Sequence, residues 1–390
     1  MKKKIIFVHT ALWVGGIETA LAAILNRFDY SKYDVTCLIL SDNRALADRI
    51  PKECNLIFAD RYNTVSFKDK YKYGWLFGLF QKPQNASKLR LLIWRILQFF
   101  LRPVEERLYA KYIKKNLEPL KYDTAVLFSS KVCGVAVKSL DYKKCLCFYH
   151  YSQLERVYHD FCGYRRCTKI FAVSENITER LKDFMPEYKD KLFPLHNLVD
   201  TKSIKTRSKE SPDTVFDGNE VNLVSCARLN TDKGFDLAID ACRILNDKGY
   251  KFKWYVMGEG PARKDLEKQI ADTGVENFIL LGQKINPYPM IKNADIFVQP
   301  SVVESFGLTI TESLVLGVPV VSTKTDGGKE LITDGKTGLL CDISAESIAE
   351  SMEKLLKNPD MLKTLRENIS KLDFEEENEN VMKKLYAEID

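Results

Sequence analysis

The sequence has no C-x-x-C pair, no D-x-D triplet, no bilayer-length apolar run and only four histidines in 390 residues. Each absence removes a class of function. Without paired ligand spacing, the ten cysteines have no zinc framework to enter. In so long a chain with well-patterned strands they do not read as a disulfide scaffold either. Several sit in apolar runs such as 144–149 and 221–227, where Cys acts as a small hydrophobe. No stretch reaches the roughly 18 apolar residues of a membrane span. The apolar start before His9 is too short for a signal peptide and reads as a first buried strand, so a cytoplasmic protein is expected. A Walker loop is absent too, because Gly327-Gly328-Lys329 runs into Glu330 without the required spacing.

What is present is charge, unevenly placed. The net +6 divides into +13 over residues 1–200 and −7 over 201–390. Residues 61–121 alone hold 14 basic and four acidic side chains. A nucleic-acid-wrapping protein would be basic throughout, so no nucleic-acid partner is expected. One part of one half seeks an anionic surface instead.

Short apolar runs alternate with helical patterns, the signature of an α/β protein with parallel sheets. Strands are predicted over 4–9, 34–40, 55–59, 124–128, 145–150, 169–173 and 191–195, with helices such as 17–27 and 174–184 between them. Residues 201–219 are polar and read as a linker. A second alternating set follows, with strands over 222–227, 253–257, 278–281, 296–299 and 318–322. This gives an N-terminal domain over 1–200 with an insert at about 61–121, and a C-terminal domain over 220–372. A charged helix over 373–390 could pack back on the N-terminal domain. Two such units leave a cleft, and open α/β sheets bind ligands outside the carboxyl ends of their strands.

The insert carries Leu-Arg-Leu-Leu-Ile-Trp-Arg-Ile-Leu-Gln-Phe-Phe-Leu over 89–101, ten apolar residues in 13. At about 1.5 Å per residue this is roughly 20 Å, too short to cross a bilayer. Bulky apolar groups with flanking cations suit a headgroup boundary. Arg90, Trp94, Arg95, Phe99 and Phe100 are therefore candidate membrane-facing residues, on the inner face of the cell membrane. The alternative is a buried helix whose arginines snorkel.

Three segments carry candidate chemistry. Gly15 and Gly16 stand at a strand-to-helix turn, where backbone N–H groups at a helix N-terminus favour anions. Arg228 and Lys233 follow the first strand of the second domain, an Arg fork and a Lys point charge fit to clamp a diphosphate. Gly258 and Gly260 close the next strand and would leave room for a ligand. The strongest signal runs from Gln299 through Glu304, Ser305, Phe306, Gly307, Leu308 and Glu312 to Gly317-Val-Pro319. Its two acids, one on a loop and one on a helix, would touch different parts of one extended ligand, since carboxylates accept hydrogen bonds from sugar hydroxyls. Glu312 lies among Leu308, Ile310, Leu314 and Val315, where an acid rarely sits without a partner. A core role is the default for His9, His159 and His196, with His9 the second choice after His150 for a functional one.

The Glu304-x7-Glu312 segment, with Gly15-Gly16-Ile17-Glu18, Phe171-Ala-Val-Ser-Glu-Asn176, His196-Asn197-Leu-Val-Asp200, Arg228 and Lys233, resembles the family 4 retaining glycosyltransferases of the GT-B fold. The resemblance extends over nearly the whole chain except 60–120. It implies two Rossmann-like domains facing across a cleft and a nucleotide-sugar donor held mainly by the C-terminal one. Arg228 and Lys233 would then hold the diphosphate, aided by N–H groups around Phe306–Leu308. Glu312 would bind the ribose, Glu304 the donor sugar, and residues about Gly282–Lys284 the base. Gly16 would border the phosphates, and His150 would meet the donor sugar. The resemblance also implies retention by front-face attack without a covalent nucleophile.

With no D-x-D present, cations and helix dipoles can take the place of a metal, so no cofactor and no metal are expected. A lipid-linked surface glycan is the expected acceptor, and UDP is favoured as nucleotide by prevalence alone. The competing readings are a nucleotide-sugar 2-epimerase on the same fold, and a non-enzymatic basic binder of membrane or RNA. The second accounts for 61–121 but not for the clamp and paired acids.

Overall fold

The computed structural model describes residues 2–41, 43–59, 106–107, 110–111, 113–115, 121–129, 132–212, 216 and 220–390. Arg90, Trp94, Arg95, Phe99 and Phe100 lie outside the described residues, as does almost all of the insert.

Two parallel sheets organise the chain. The first contains β1 (Lys3–His9), β2 (Tyr33–Ile39), β3 (Asn55–Phe58), β4 (Lys121–Leu127), β5 (Asp141–Tyr149), β6 (Lys169–Ala172) and β7 (Leu192–Pro194), in the order β3-β2-β1-β4-β5-β6-β7. The second contains β8 (Val221–Cys226), β9 (Phe252–Met257), β10 (Phe278–Gly282), β11 (Ile296–Gln299), β12 (Val320–Thr323) and β13 (Gly338–Cys341), in the order β10-β9-β8-β11-β12-β13. Each is a Rossmann-like sheet covered on both faces, which is why strands such as Ile5–His9 are buried throughout rather than in alternation. Strand order reverses between β1 and β4 and again between β8 and β11. Those two switch points open crevices at the strands' carboxyl ends.

The twelve expected strands are all present, with ends shifted by a few residues, and β13 is an additional edge strand. Residues 201–207, read as part of a polar linker, form a helix instead (Thr201–Arg207). Asp200 caps it by accepting from the Ser203 N–H at 2.9 Å, and only Thr201 and Ile204 are buried. With so narrow an apolar face, the capping residue rather than periodicity marks the helix.

The last helix (Phe374–Ile389) packs on the N-terminal domain, against residues far from it in sequence. Tyr386 stacks on Tyr33 with ring centroids 5.3 Å apart, and its hydroxyl accepts from the Asp29 N–H and donates to the Arg27 carbonyl. Asn378, buried, exchanges two hydrogen bonds with the Val199 backbone. Among the described residues, no helix is long and apolar enough to cross a membrane.

Candidate active site in the cleft

The loops leaving the two switch points bring the predicted residues of both domains together. After β8, residues 231–234 turn through Gly234, whose φ of +64° is left-handed. A Cβ there would meet the Pro300 carbonyl oxygen at 2.0 Å, so only glycine lets this loop lie against the one after β11. The two loops are then laced together. The Val302 and Val303 N–H groups both donate to the Asp232 carbonyl, at 2.9 and 3.1 Å.

That lacing sets Lys233 on Glu304. The ammonium donates to the carboxylate at 2.7 Å, with both side chains largely buried. Gln299, the last residue of β11, donates to the same carboxylate oxygen at 3.3 Å and to Ser301 at 2.8 Å. The Thr309 hydroxyl in turn donates to the Gln299 side-chain oxygen Oε1. A charged pair enclosed this way is preorganised, since its partners already fix its rotamer. Arg228 stands exposed just beyond the β8 end. Gly307, at φ +90°, begins the helix Leu308–Val315 with no side-chain cap, so the helix's first N–H groups are open to an anion.

Glu312 has the partner its apolar setting requires. The Tyr288 hydroxyl donates to it at 3.0 Å. Burial pushes its carboxyl up to about 7, against the opposing effects of the Tyr288 hydrogen bond and the positive charges of Arg49 and Arg207.

Across the cleft, Gly16 faces Leu308, whose Cδ1 would lie 3.3 Å from an added Cβ. Gly15 lies beside the Glu18 carboxylate, and His9 Nε2 is 3.6 Å from Glu18 Oε1. His150, just past β5, is enclosed by Phe128 and Phe148. Burial and the neighbouring His9 depress its imidazole to about 3, with a poorly aligned contact to the Phe128 backbone offsetting little, so it is neutral at physiological pH. Neither ring nitrogen makes a well-formed hydrogen bond among the described residues. A buried, unsatisfied imidazole calls for a reason, and a ligand is one. Two residues on, the Ser152 hydroxyl meets the Ser305 hydroxyl at 3.3 Å, joining the His150 loop to the Glu304 loop.

Other predicted residues have different surroundings. The space beside Gly258, expected for a ligand, is taken by protein: its Cβ would meet the Ala227 carbonyl at 1.9 Å, and that of Gly260 the Leu229 carbonyl at 2.3 Å. These glycines let the loop after β9 pack on the Arg228 loop. Gly282 turns with φ +76° beside Glu259, and Lys284 is half-buried in the loop that follows.

Sequence reasoning passed over Ser152, Arg180, Tyr288, Arg49 and Arg207. Arg180 donates to Asp326 and to the Ser152 carbonyl, and so ties the two domains beside the cleft. Their only sequence signal is residue type, since each acts through a partner distant in the chain.

Residues 206–372 match the family of glycosyl transferases group 1. This segment resembles a group 1 glycosyl transferase domain. The chain is 30% identical over 141 residues to the GDP-mannose-dependent alpha-(1-6)-phosphatidylinositol dimannoside mannosyltransferase of Mycobacterium tuberculosis, covering 36% of this chain and 37% of that one. The chain is also similar to the lipopolysaccharide core biosynthesis glycosyltransferase LpsE of Rhizobium meliloti, with 29% identity over 206 residues, 52% of this chain and 58% of that protein. The chain thus spans between about a third and three-fifths of the curated relatives it matches. In three dimensions nearly the whole chain superposes on Anabaena Alr3699/HepE, solved with UDP-glucose, at a TM-score of 0.71 and 17% identity, covering 98% of this chain and 99% of that one. The two domains together have the GT-B fold.

Proposed function

We propose that this protein is a retaining glycosyltransferase that moves a sugar from a nucleotide-sugar, UDP-linked in the leading case, to a hydroxyl of a lipid-linked glycan during polysaccharide biosynthesis. The observation that carries the reading is the enclosed Lys233–Glu304 pair, joined through Ser305 and Ser152 to the unsatisfied His150 across the cleft. The group 1 match over 206–372 supports it, as do the lipopolysaccharide-building relative and the neighbour solved with UDP-glucose.

In this reading Arg228, Lys233 and the N-terminus of helix Leu308–Val315 stabilise the negative charge that grows on the departing diphosphate. Glu304 accepts hydrogen bonds from donor-sugar hydroxyls, and neutral His150 donates one from the opposite domain. The leaving phosphate takes the acceptor proton on the same face, giving an α-linked product from an α-linked donor. No metal is needed for these roles, because the cations supply the positive charge. The acceptor is presented at the inner face of the cell membrane, with the basic excess of residues 61–121 as the attraction.

Thermal-shift screening against UDP-, GDP- and ADP-sugars identifies the donor, since a ligand of the folded state raises its melting temperature. With that donor, Glu304→Ala and Lys233→Ala each lower transfer by a factor of about 100 or more while leaving the circular dichroism spectrum unchanged. Full activity in either variant removes the site assignment. Activity lost in EDTA and restored by Mg²⁺ overturns metal independence. Salt-sensitive binding to anionic vesicles, lost on Trp94→Glu, tests the membrane reading.

A further inference from the structure

The environment of Glu312 extends beyond its own domain. Its partner Tyr288 opens the helix Tyr288–Asn293, and the Arg207 guanidinium lies over the Tyr288 ring at 5.3 Å. Arg207 ends the helix between the domains and also donates to the Ile285 carbonyl at 3.0 Å. Arg49, from the N-terminal domain, reaches the same carbonyl at 3.4 Å. Asn286 donates back to the Arg207 carbonyl and to Glu210, at 3.0 and 2.9 Å. The segment 285–288 is therefore stapled to the connecting helix, and two cations from outside the second sheet converge beside its buried acid.

We propose that Tyr288, Arg207 and Arg49 are positioning residues for Glu312, holding its carboxylate charged and oriented toward the donor's nucleoside, so that the grip on the nucleotide depends on the two domains being closed. The proposal rests on the reading of Glu312 as the ribose ligand. An ionised carboxylate can accept from both ribose hydroxyls, whereas a protonated one keeps less acceptor capacity. Opening the cleft would remove Arg49 and leave Glu312 with one cation fewer, which favours its neutral form and release of the nucleotide. Among the described residues, the charged and titratable groups acting on or acted on by Glu312 are Tyr288, Arg49, Arg207 and Cys226. Burial pushes the Tyr288 hydroxyl well above its usual range and the Cys226 thiol up to about 12. Neither titrates between pH 6 and 9, so Glu312 is the group in this set that changes charge there.

The test is calorimetric titration of the full chain with UDP, and with GDP as a second nucleoside diphosphate, at pH 6, 7 and 9. The wild type should bind more weakly at pH 6 than at pH 9. Arg207→Ala, Arg49→Ala and Tyr288→Phe should each bind about two- to fivefold more weakly at pH 7, as a shift of between half a pKa unit and one requires, and recover at pH 9. Arg207→Lys, which keeps the charge, should regain part of what Arg207→Ala loses. Glu312→Gln should bind weakly and lose the part of the pH dependence that comes from Glu312, keeping only that of the nucleotide's own terminal phosphate, whose second pKa is about 6.

Recovery at high pH is a signature that a merely structural defect does not produce. Wild-type affinity in both arginine variants at pH 7, or equal weakening at pH 7 and 9, overturns the proposal while leaving the donor site standing. A wild type that binds neither nucleotide removes the donor site and the proposal together.

Discussion

A carboxyl group enclosed as completely as Glu312 works against the fold that carries it. Its folded pKa of about 7 lies above the ordinary value of 4.5, so the folded state holds the proton more tightly than the unfolded chain. The penalty is absent below pH 4.5 and grows until the pH passes 7, reaching on the order of 3 kcal/mol. Glu312→Gln should therefore raise stability toward urea at pH 8 by up to that amount and change it little at pH 5, while weakening nucleotide binding. Parallel stability at both pH values would show that the acid is not held as described. Gly234 and Gly258 act at the same scale in a different way. Each removes a Cβ that would strike a backbone carbonyl, at 2.0 and 1.9 Å, so that the Lys233 turn packs on the loop after β11 and the loop after β9 packs beside Arg228.

At the scale of elements, strands were legible because parallel strands are buried on both faces and appear as unbroken apolar runs. β13 escaped because it is a four-residue edge strand opening on Gly338. Helix Thr201–Arg207 escaped because only two of its seven residues are buried. The last helix was legible as a helix, yet its docking rests on side chains far apart in sequence. Tyr386 packs on Tyr33 and, edge to face, on Phe28. Tyr386→Ala should cost about 2–3 kcal/mol through lost aromatic packing and two lost hydrogen bonds. Urea unfolding measures the loss, and faster amide exchange in helix Phe374–Ile389 should accompany it. Unchanged exchange would place the anchor elsewhere, for instance at Asn378.

At the scale of the molecule, a polar clasp joins the two domains on one side of the cleft. Arg180 pairs with Asp326, the Glu175 N–H donates to Glu330, and His196 lies between Glu330 at 2.8 Å and Glu377 at 3.0 Å. Burial opposes a charge on His196, but hydrogen bonds to the two glutamates outweigh it and raise the imidazole to about 9. His196 in turn holds the Glu330 carboxyl below its ordinary range. Because the folded pKa is the higher one, the stabilisation is complete below about pH 6.5 and is lost as the pH rises through 9. Compared with His196→Gln, the wild type should lose roughly 2 kcal/mol between pH 6.5 and 9.5, a figure reduced for partial exposure. Chemical denaturation across that range checks it, and curves that run parallel would exclude the clasp as a source of stability. Gly327 connects this clasp to the site, since its N–H donates to the Glu304 carbonyl at 3.0 Å and the Phe306 carbonyl fills its Cβ position.

By itself the sequence determined the two α/β units, the strands at their centres, the paired acids Glu304 and Glu312 and the cations Arg228 and Lys233. These depend on local pattern: apolar runs, turn glycines, and charged residues at strand ends. Only the tertiary structure decided that Lys233 sits on Glu304, that Ser152 meets Ser305, and that Tyr288, Arg49 and Arg207 gather about Glu312. Those contacts join residues up to 236 positions apart, Arg49 to Ile285, and depend on how two sheets and a connecting helix pack. No local pattern records such an arrangement, because each residue's role is supplied by a neighbour that the chain brings near only when folded.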